Sequence, residues 1–113
     1  MSGNRPLCPC VFLVPTALNS GEPVPSATMA RIHLALVRQF EALTMHDAKG
    51  LWQNQAENHI CYCIALDESR VEELKAVVKA IGKELGQKQM YFEVGPPSVW
   101  LLDIDDDTPP LPS

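Results

Sequence analysis

The chain contains 113 residues, 46% of them hydrophobic, and carries a formal net charge of −5 at pH 7. This length and composition are typical of one globular domain with a single core. The 9 basic residues are scattered and are outnumbered by 14 acidic residues, so we expect no nucleic-acid partner, which would require clustered lysines and arginines. No apolar run reaches the roughly 18 residues of a membrane-spanning helix, so we also expect no membrane partner.

The first apolar run of the chain, Cys10 to Val14, is short and lies between two prolines. It is too short for the apolar core of a secretory signal peptide, so we expect the protein in the cytoplasm. Thiols stay reduced in that compartment, and the 4 cysteines are therefore expected without disulfides.

The first half of the chain predicts a strand, a helix and a second strand. Residues 8–14 form the first strand, in which Pro9 must lie at an edge or an end because it has no backbone N–H. Residues 16–25 form a proline-rich loop, and residues 44–55 are extended with a turn at 48–50. The helix between them follows from apolar side chains at intervals of three or four residues: Met29, Ile32, Leu36, Phe40 and Leu43.

The stretch from His59 to Val94 carries the strongest pattern, which is strand, helix, strand. Residues 59–66 have the β-branched and aromatic content of a strand. Ser69 and Glu72 predict a capping box, in which each side chain accepts a hydrogen bond from the backbone N–H of the other residue. Gly86 predicts a left-handed end to the helix. The apolar stripe of that helix consists of Val71, Leu74, Val78, Ile81 and Leu85.

A last strand is predicted at residues 98–104, after the rigid turn at residues 95–97. The order is therefore βαββαβ plus a C-terminal strand. Right-handed crossovers fold this order into a ferredoxin-like two-layer sandwich, an α+β fold with two helices on one face of an antiparallel sheet. We expect residues 1–104 to form a single domain and residues 105–113 to form an acidic, proline-rich flexible tail.

Alternation along the two central strands assigns their side chains to two faces. Tyr62 and Phe92 belong to the apolar sets that should lie under the helices. A shift of one residue in register would exchange the faces. The opposite, open face would carry the polar and reactive set that we take as a candidate ligand or partner surface: His59, Cys61, Cys63, Tyr91 and Glu93.

The cysteines form two C-x-C pairs, Cys8/Cys10 and Cys61/Cys63, on strands that we expect to be neighbours. Four thiolates there would make a zinc site. An extended C-x-C, however, spaces its sulfurs by about 6.5–7 Å, which is too far for one tetrahedral ion without a bend. Packing as small apolar residues is therefore favoured, with metal binding and a reactive thiol as alternatives. No cofactor-binding motif is present, so we expect no cofactor.

Two further polar groups have simple interpretations. His46 and Asp47 are adjacent and should point to opposite faces of a strand, which favours a polar hairpin end over an acid–base pair. Asp103 and the aspartates at 105–107 lack the glycine and the glutamate of an EF-hand loop, which favours a solvated tail over a cation site.

The run F-x-x-L-T-x-x-D-A-x-G-x-W at residues 40–52, followed by Glu57, resembles a small bacterial family of unknown function. Members of that family are often described as predicted lipoproteins. The resemblance covers roughly the middle half of the chain. It implies a compact α+β domain with a ligand- or partner-facing surface near Thr44, Asp47 and Trp52, and it implies no known reaction.

These patterns favour a small non-enzymatic α/β module that binds a protein partner or itself, as a homodimer, through the open sheet face or the last strand. The reason is the consecutive run of Trp100, Leu101 and Leu102, which so small a chain is not expected to cover on both sides. We take Trp100 and Leu102 as candidate interface residues. The alternatives are a small enzyme or ligand sensor that uses the open-face cluster, and a metal-binding module that uses both C-x-C pairs.

Overall fold

The computed structural model describes residues 5–52 and 55–112. Within these ranges a 3₁₀ helix, Glu68–Arg70, directly precedes the second of two α-helices. No helix among the described residues is both long enough and apolar enough to cross a membrane. In chain order the main elements are β1 at Cys8–Pro15, α1 at Ser26–Gln39, β2 at Thr44–Trp52, β3 at Gln55–Leu66, α2 at Val71–Glu84 and β4 at Phe92–Val94.

The strands form one antiparallel sheet in the order β2-β3-β1-β4. The predicted α+β class, with an antiparallel sheet and two helices, is confirmed. β1 is a central strand, paired with β3 along its whole length and with β4 on its other side. Pro9 lies at the second position of β1, close to the end of the strand, where the loss of one ladder donor is tolerated. Its carbonyl accepts a hydrogen bond from Gly95 N–H beyond the end of β4.

The core lies on the side of the sheet that receives side chains from the helices. Along β1, buried and half-buried residues alternate strictly. Phe12 of β1 pairs directly with Tyr62 of β3, and both side chains are buried in the core. The even-numbered residues of β3 therefore face the core, as predicted. The helices add residues from both apolar stripes to the same core, namely Ile32 and Leu36 from α1 and Leu74, Val78 and Ile81 from α2.

The two ends of α2 differ in how well the sequence predicted them. The capping box is wrong: Asp67 accepts the backbone N–H of Ser69 at 3.0 Å, because the turn of 3₁₀ helix moves the cap to Asp67. The predicted end at Gly86 is confirmed by a φ of 68°. There the N–H of Gln87 donates to the carbonyl of Gly82 at 2.8 Å, which is the backbone pattern of a glycine-terminated helix.

β2 and β3 form a long hairpin without an interruption in its described part. The turn predicted at residues 48–50 is wrong, because these residues pair within β2 with residues 57–59 of β3. Residues 53 and 54 connect the two strands and lie outside the described residues.

The predicted last strand at residues 98–104 is also wrong. Val99 forms a single bridge with Leu7, and no strand or helix follows it in the described chain. β1 begins at Cys8, so among the described residues the chain beyond this bridge has no further strand of the sheet to pair with. We call residues 100–112 the C-terminal arm. Its apolar side chains are largely exposed, with exposed fractions of 53% for Trp100, 70% for Leu101, 81% for Leu102 and 84% for Ile104.

Candidate functional site

The side of the sheet that faces away from the core forms an open face. It is built from the odd-numbered residues of β1 and β3 and from their partners on β2 and β4. Directly paired residues of antiparallel strands share a face, so these side chains form rows across the sheet. One row contains His46, Cys61 and Leu13, and the next contains Thr44, Cys63, Val11 and Glu93.

Three metal-ligating side chains meet on this open face. The ligand atoms of His46, Cys61 and Cys63 all lie within 4.8 Å of one another, and we call these residues the cysteine–histidine cluster. Cys61 is buried, Cys63 is half-buried and His46 is exposed. The two thiols point the same way from alternate positions of β3, and His46 lies directly opposite Cys61 on β2. The expectation that the sulfurs of an extended C-x-C stay too far apart is therefore wrong, because the side chains bring their ends closer together.

Two ionisable groups on the open face have a raised pKa. Burial raises the pKa of the Cys61 thiol, and the neighbouring Cys63 and the carboxylate of Glu93 raise it further. The hydroxyl of Tyr91 donates to Glu93 Oε2 at 3.0 Å, and this bond, together with the charge of the carboxylate, raises the pKa of Tyr91.

The five residues predicted for the open face all lie there, but they do not form one cluster. His59 lies two residues before Cys61 on β3, and its Nε2 is 3.5 Å from Glu57 Oε2. The Tyr91–Glu93 pair lies at the opposite edge, on and just before β4, with β1 between it and the cysteines. The sheet therefore brings together the two thiols of the predicted set and separates the other members.

The residues named by the family resemblance are divided between the faces. Thr44 pairs with Cys63 and belongs to the open face. Asp47 pairs with Ile60, which places it on the opposite face from His46, where it is exposed. Trp52 ends β2, and its side chain lies outside the described part of the chain.

The two C-x-C pairs lie on opposite sides of the sheet. Cys8 and Cys10 are on the core side of β1 and are 3% and 1% exposed. Cys61 and Cys63 point to the open face. The four-thiolate zinc site, which the sequence left as an alternative to packing, does not form, because the sheet itself stands between the pairs.

A groove with a volume of about 1060 Å³ runs between α2 and the residues around the start of β4. Buried or half-buried apolar side chains line part of it, including Val78, Met90 and Phe92. The lining also contains four lysines, Lys75, Lys79, Lys83 and Lys88, of which Lys75 pairs with Glu72. We call it the lysine-lined groove.

His46 is the cluster member that the sequence did not identify. Its position opposite Cys61 depends on the register of the β2–β3 hairpin. The pairing of Thr44 with Cys63 and of Trp52 with Gln55 fixes that register, so a correct prediction of the hairpin connection would have found His46.

No family model matches the chain, and no curated protein matches it. Among solved structures, the chain is similar to a phage SAM lyase in complex with S-methyl-5'-thioadenosine, with a TM-score of 0.63 and 11% sequence identity over 88% of each chain. At 11% sequence identity, the similarity shows a shared fold and nothing more.

Proposed function

We propose that the chain is a self-associating α/β module in which the C-terminal arm of one copy docks into the lysine-lined groove of a second copy. The observation that carries this proposal is the exposure of the apolar side chains of the arm, which reaches 84% at Ile104. Consecutive large apolar side chains in water mark an interaction surface. By comparison, Val11 and Leu13 of the open face are already half-buried.

Charge complementarity favours a second copy as the partner. The arm carries Asp103 and the aspartates at 105–107 beside its apolar residues, and the groove combines four lysines with an apolar lining. Opposite charges across an interface speed association and select the partner. Reciprocal exchange of two arms would give a homodimer with a two-fold axis, the commonest closed arrangement.

We also propose that the fold is the ferredoxin-like two-layer sandwich. The supporting observation is that buried residues of both helices belong to one core cluster with the even-numbered residues of β1 and β3. We retain cytoplasmic localisation as part of the proposal, supported by four cysteines that are all free thiols. Membership of the bacterial family likewise stays a proposal, and β2 carries most of the run on which it rests.

Sedimentation velocity at tens of micromolar tests the self-association. We expect the wild-type chain to sediment as a dimer, and we expect Trp100→Ser with Leu102→Ser to convert it to a monomer, because the buried apolar area is lost. Leu51→Ser is the matched control, since Leu51 is 78% exposed at the hairpin and lies outside the arm. A monomeric wild type, or an arm variant that stays dimeric, would overturn the proposal.

Charge reversal tests the groove as the docking site. Lys79→Glu with Lys83→Glu should weaken association by at least about tenfold, since like charges then face each other. Mixing this variant with Asp103→Lys and Asp106→Lys should restore a heterodimer. Lys49→Glu, an exposed lysine on β2, is the control. If the mixture does not associate, the arm docks at a site other than the lysine-lined groove.

A second candidate function is a small enzyme or sensor for a nucleoside thioether. It is favoured by the similarity to the phage SAM lyase bound to S-methyl-5'-thioadenosine, and by the Tyr91–Glu93 pair and the thiols on the open face. Calorimetric titration with S-methyl-5'-thioadenosine should show saturable binding that Tyr91→Phe with Glu93→Gln removes and Glu57→Gln keeps. Absence of heat with the wild type would remove this candidate.

A further inference from the structure

We propose that the cysteine–histidine cluster is a binding site for Zn²⁺, with Cys61 Sγ, Cys63 Sγ and a ring nitrogen of His46 as ligands. This goes beyond the self-association proposed above, because none of the three cluster residues lines the groove or belongs to the arm. The observation is geometric: three soft ligand atoms from two neighbouring strands lie within 4.8 Å of one another.

The distances require only small side-chain movements to fit an ion. A tetrahedral zinc ion with Zn–S bonds of about 2.3 Å holds its two sulfurs about 3.8 Å apart. The sulfurs here lie within 4.8 Å of each other, so rotation about the Cα–Cβ bonds can close the gap. The backbone can stay in place, because pairing of His46 with Cys61 already fixes the strands at hydrogen-bonding distance.

The donor set selects the class of metal. Two sulfurs and one imidazole suit zinc and other thiophilic ions and are poor ligands for Mg²⁺ or Ca²⁺, which prefer oxygen. Binding would release the two thiol protons to solvent, and the two thiolates would neutralise the divalent charge.

Exposure and coordination number indicate how the ion would be used. Three protein ligands leave the fourth tetrahedral position for water or for another ligand, which is the arrangement of zinc sites that remain open. His46 is exposed and Cys63 half-buried, so this position is reachable from solvent. Thr44, in the same row as Cys63, is the nearest hydroxyl-bearing partner by register.

Titration of the reduced full chain with Zn²⁺ against a chromophoric chelator tests the site, with Co²⁺ as a spectroscopic probe. We expect one ion per chain, and a thiolate-to-cobalt charge-transfer band in the near ultraviolet. His46→Gln should weaken Zn²⁺ binding by at least about 10–100-fold, the range seen for loss of an outer-shell partner alone. Since His46 is exposed, this variant should fold, and circular dichroism checks that it does.

Two matched controls separate this site from general thiol binding. His59→Gln changes a histidine on the same face outside the cluster, and Cys8→Ala removes a thiol on the core side. Both should keep the ion and the charge-transfer band, whereas Cys63→Ser should bind Co²⁺ more weakly and reduce the band, because only the Cys61 thiolate remains. No binding by the wild type, unchanged affinity in His46→Gln, or equal loss in Cys8→Ala would overturn the proposal.

Discussion

The ring of Phe12 is fully buried at the centre of the core. It stacks on the ring of Tyr62, with centroids 5.2 Å apart and an interplanar angle of 12°, and on Phe92 with centroids 6.5 Å apart. Phe12 pairs directly with both residues, so three adjacent strands share one aromatic stack. This stack ties β4, which has only three residues, to the rest of the sheet.

Replacing Phe12 with alanine should therefore be severe. We expect Phe12→Ala to lower the free energy of unfolding by about 3–5 kcal/mol, because the cavity left behind cannot collapse between paired strands. Urea denaturation followed by circular dichroism measures this loss. Leu51→Ala, at a side chain that is 78% exposed, should change the same free energy by less than about 0.5 kcal/mol. A comparable loss in both variants would contradict the role given to the stack.

The faces of individual residues were predictable where they depend on the backbone alone. Alternation placed Tyr62 in the core and Cys61 and Cys63 on the open face, because successive side chains of any strand point to opposite sides. Partners across strands were not predictable, because they depend on the hairpin connection. Gln53-Asn54 lacks the glycine that marks tight hairpins, whereas Gly50 suggested a turn that does not form.

At the scale of elements, Arg70 joins the two helices. Its Nη2 donates to the carbonyl of Gln39 at the end of α1 at 2.9 Å, and its Nε donates to Glu73 Oε1 in the first turn of α2 at 3.1 Å. The guanidinium carbon also lies 5.2 Å from the centroid of the Phe40 ring. Gln39 Nε2 completes the junction by donating to Glu73 Oε2 at 3.0 Å.

The hydrogen bonds of this junction predict that the stability of the fold depends on pH in the acid range. Hydrogen bonds from Arg70 and Gln39 lower the pKa of Glu73 from 4.5 to about 2. A carboxyl group whose pKa is lower in the folded state stabilises the fold above its unfolded pKa. That stabilisation is present above about pH 4.5 and is lost as the pH falls towards about 2.

Glu73→Gln should therefore flatten the acid limb of a plot of unfolding free energy against pH, with the largest difference from the wild type at neutral pH. Glu72→Gln is the matched control, because Glu72 is in the same turn, is 82% exposed, and forms an ion pair with Lys75 at 3.0 Å rather than with Arg70. Equal effects of the two substitutions on the acid limb would show that the junction contributes nothing specific.

Elements with a complete local pattern were predicted well, and those that need a distant partner were not. The apolar stripe and Gly86 define α2 and its end within one stretch of sequence. The run at residues 98–104 has the apolar content of a strand, but a strand also needs a neighbour. Within the described chain, the bridge between Val99 and Leu7 is where pairing stops.

The whole molecule is more extended than its length implies. Its radius of gyration is 17.1 Å, whereas a compact chain of this length has about 13 Å. The outer part of the β2–β3 hairpin, where Leu51 is 78% exposed, and the C-terminal arm contribute to the difference, since their side chains are not covered by the core. The sequence shows that both segments contain apolar residues, but it does not show that the fold leaves those residues exposed.

The segment between β4 and the C-terminal arm determines whether the exchange of arms between copies gives a closed dimer or an open fibre. Gly95 approaches Pro9 so closely that an added Cβ would lie 2.9 Å from the proline ring, and Pro96 and Pro97 then fix the direction of the backbone. If that direction turns each arm back towards the copy that receives it, the exchange closes after two chains. If it points each arm onward, the same contacts repeat without end and build a fibre. The rigid backbone at Pro96 and Pro97, rather than the apolar contacts of Trp100 or Leu102, would then determine how many chains the assembly contains.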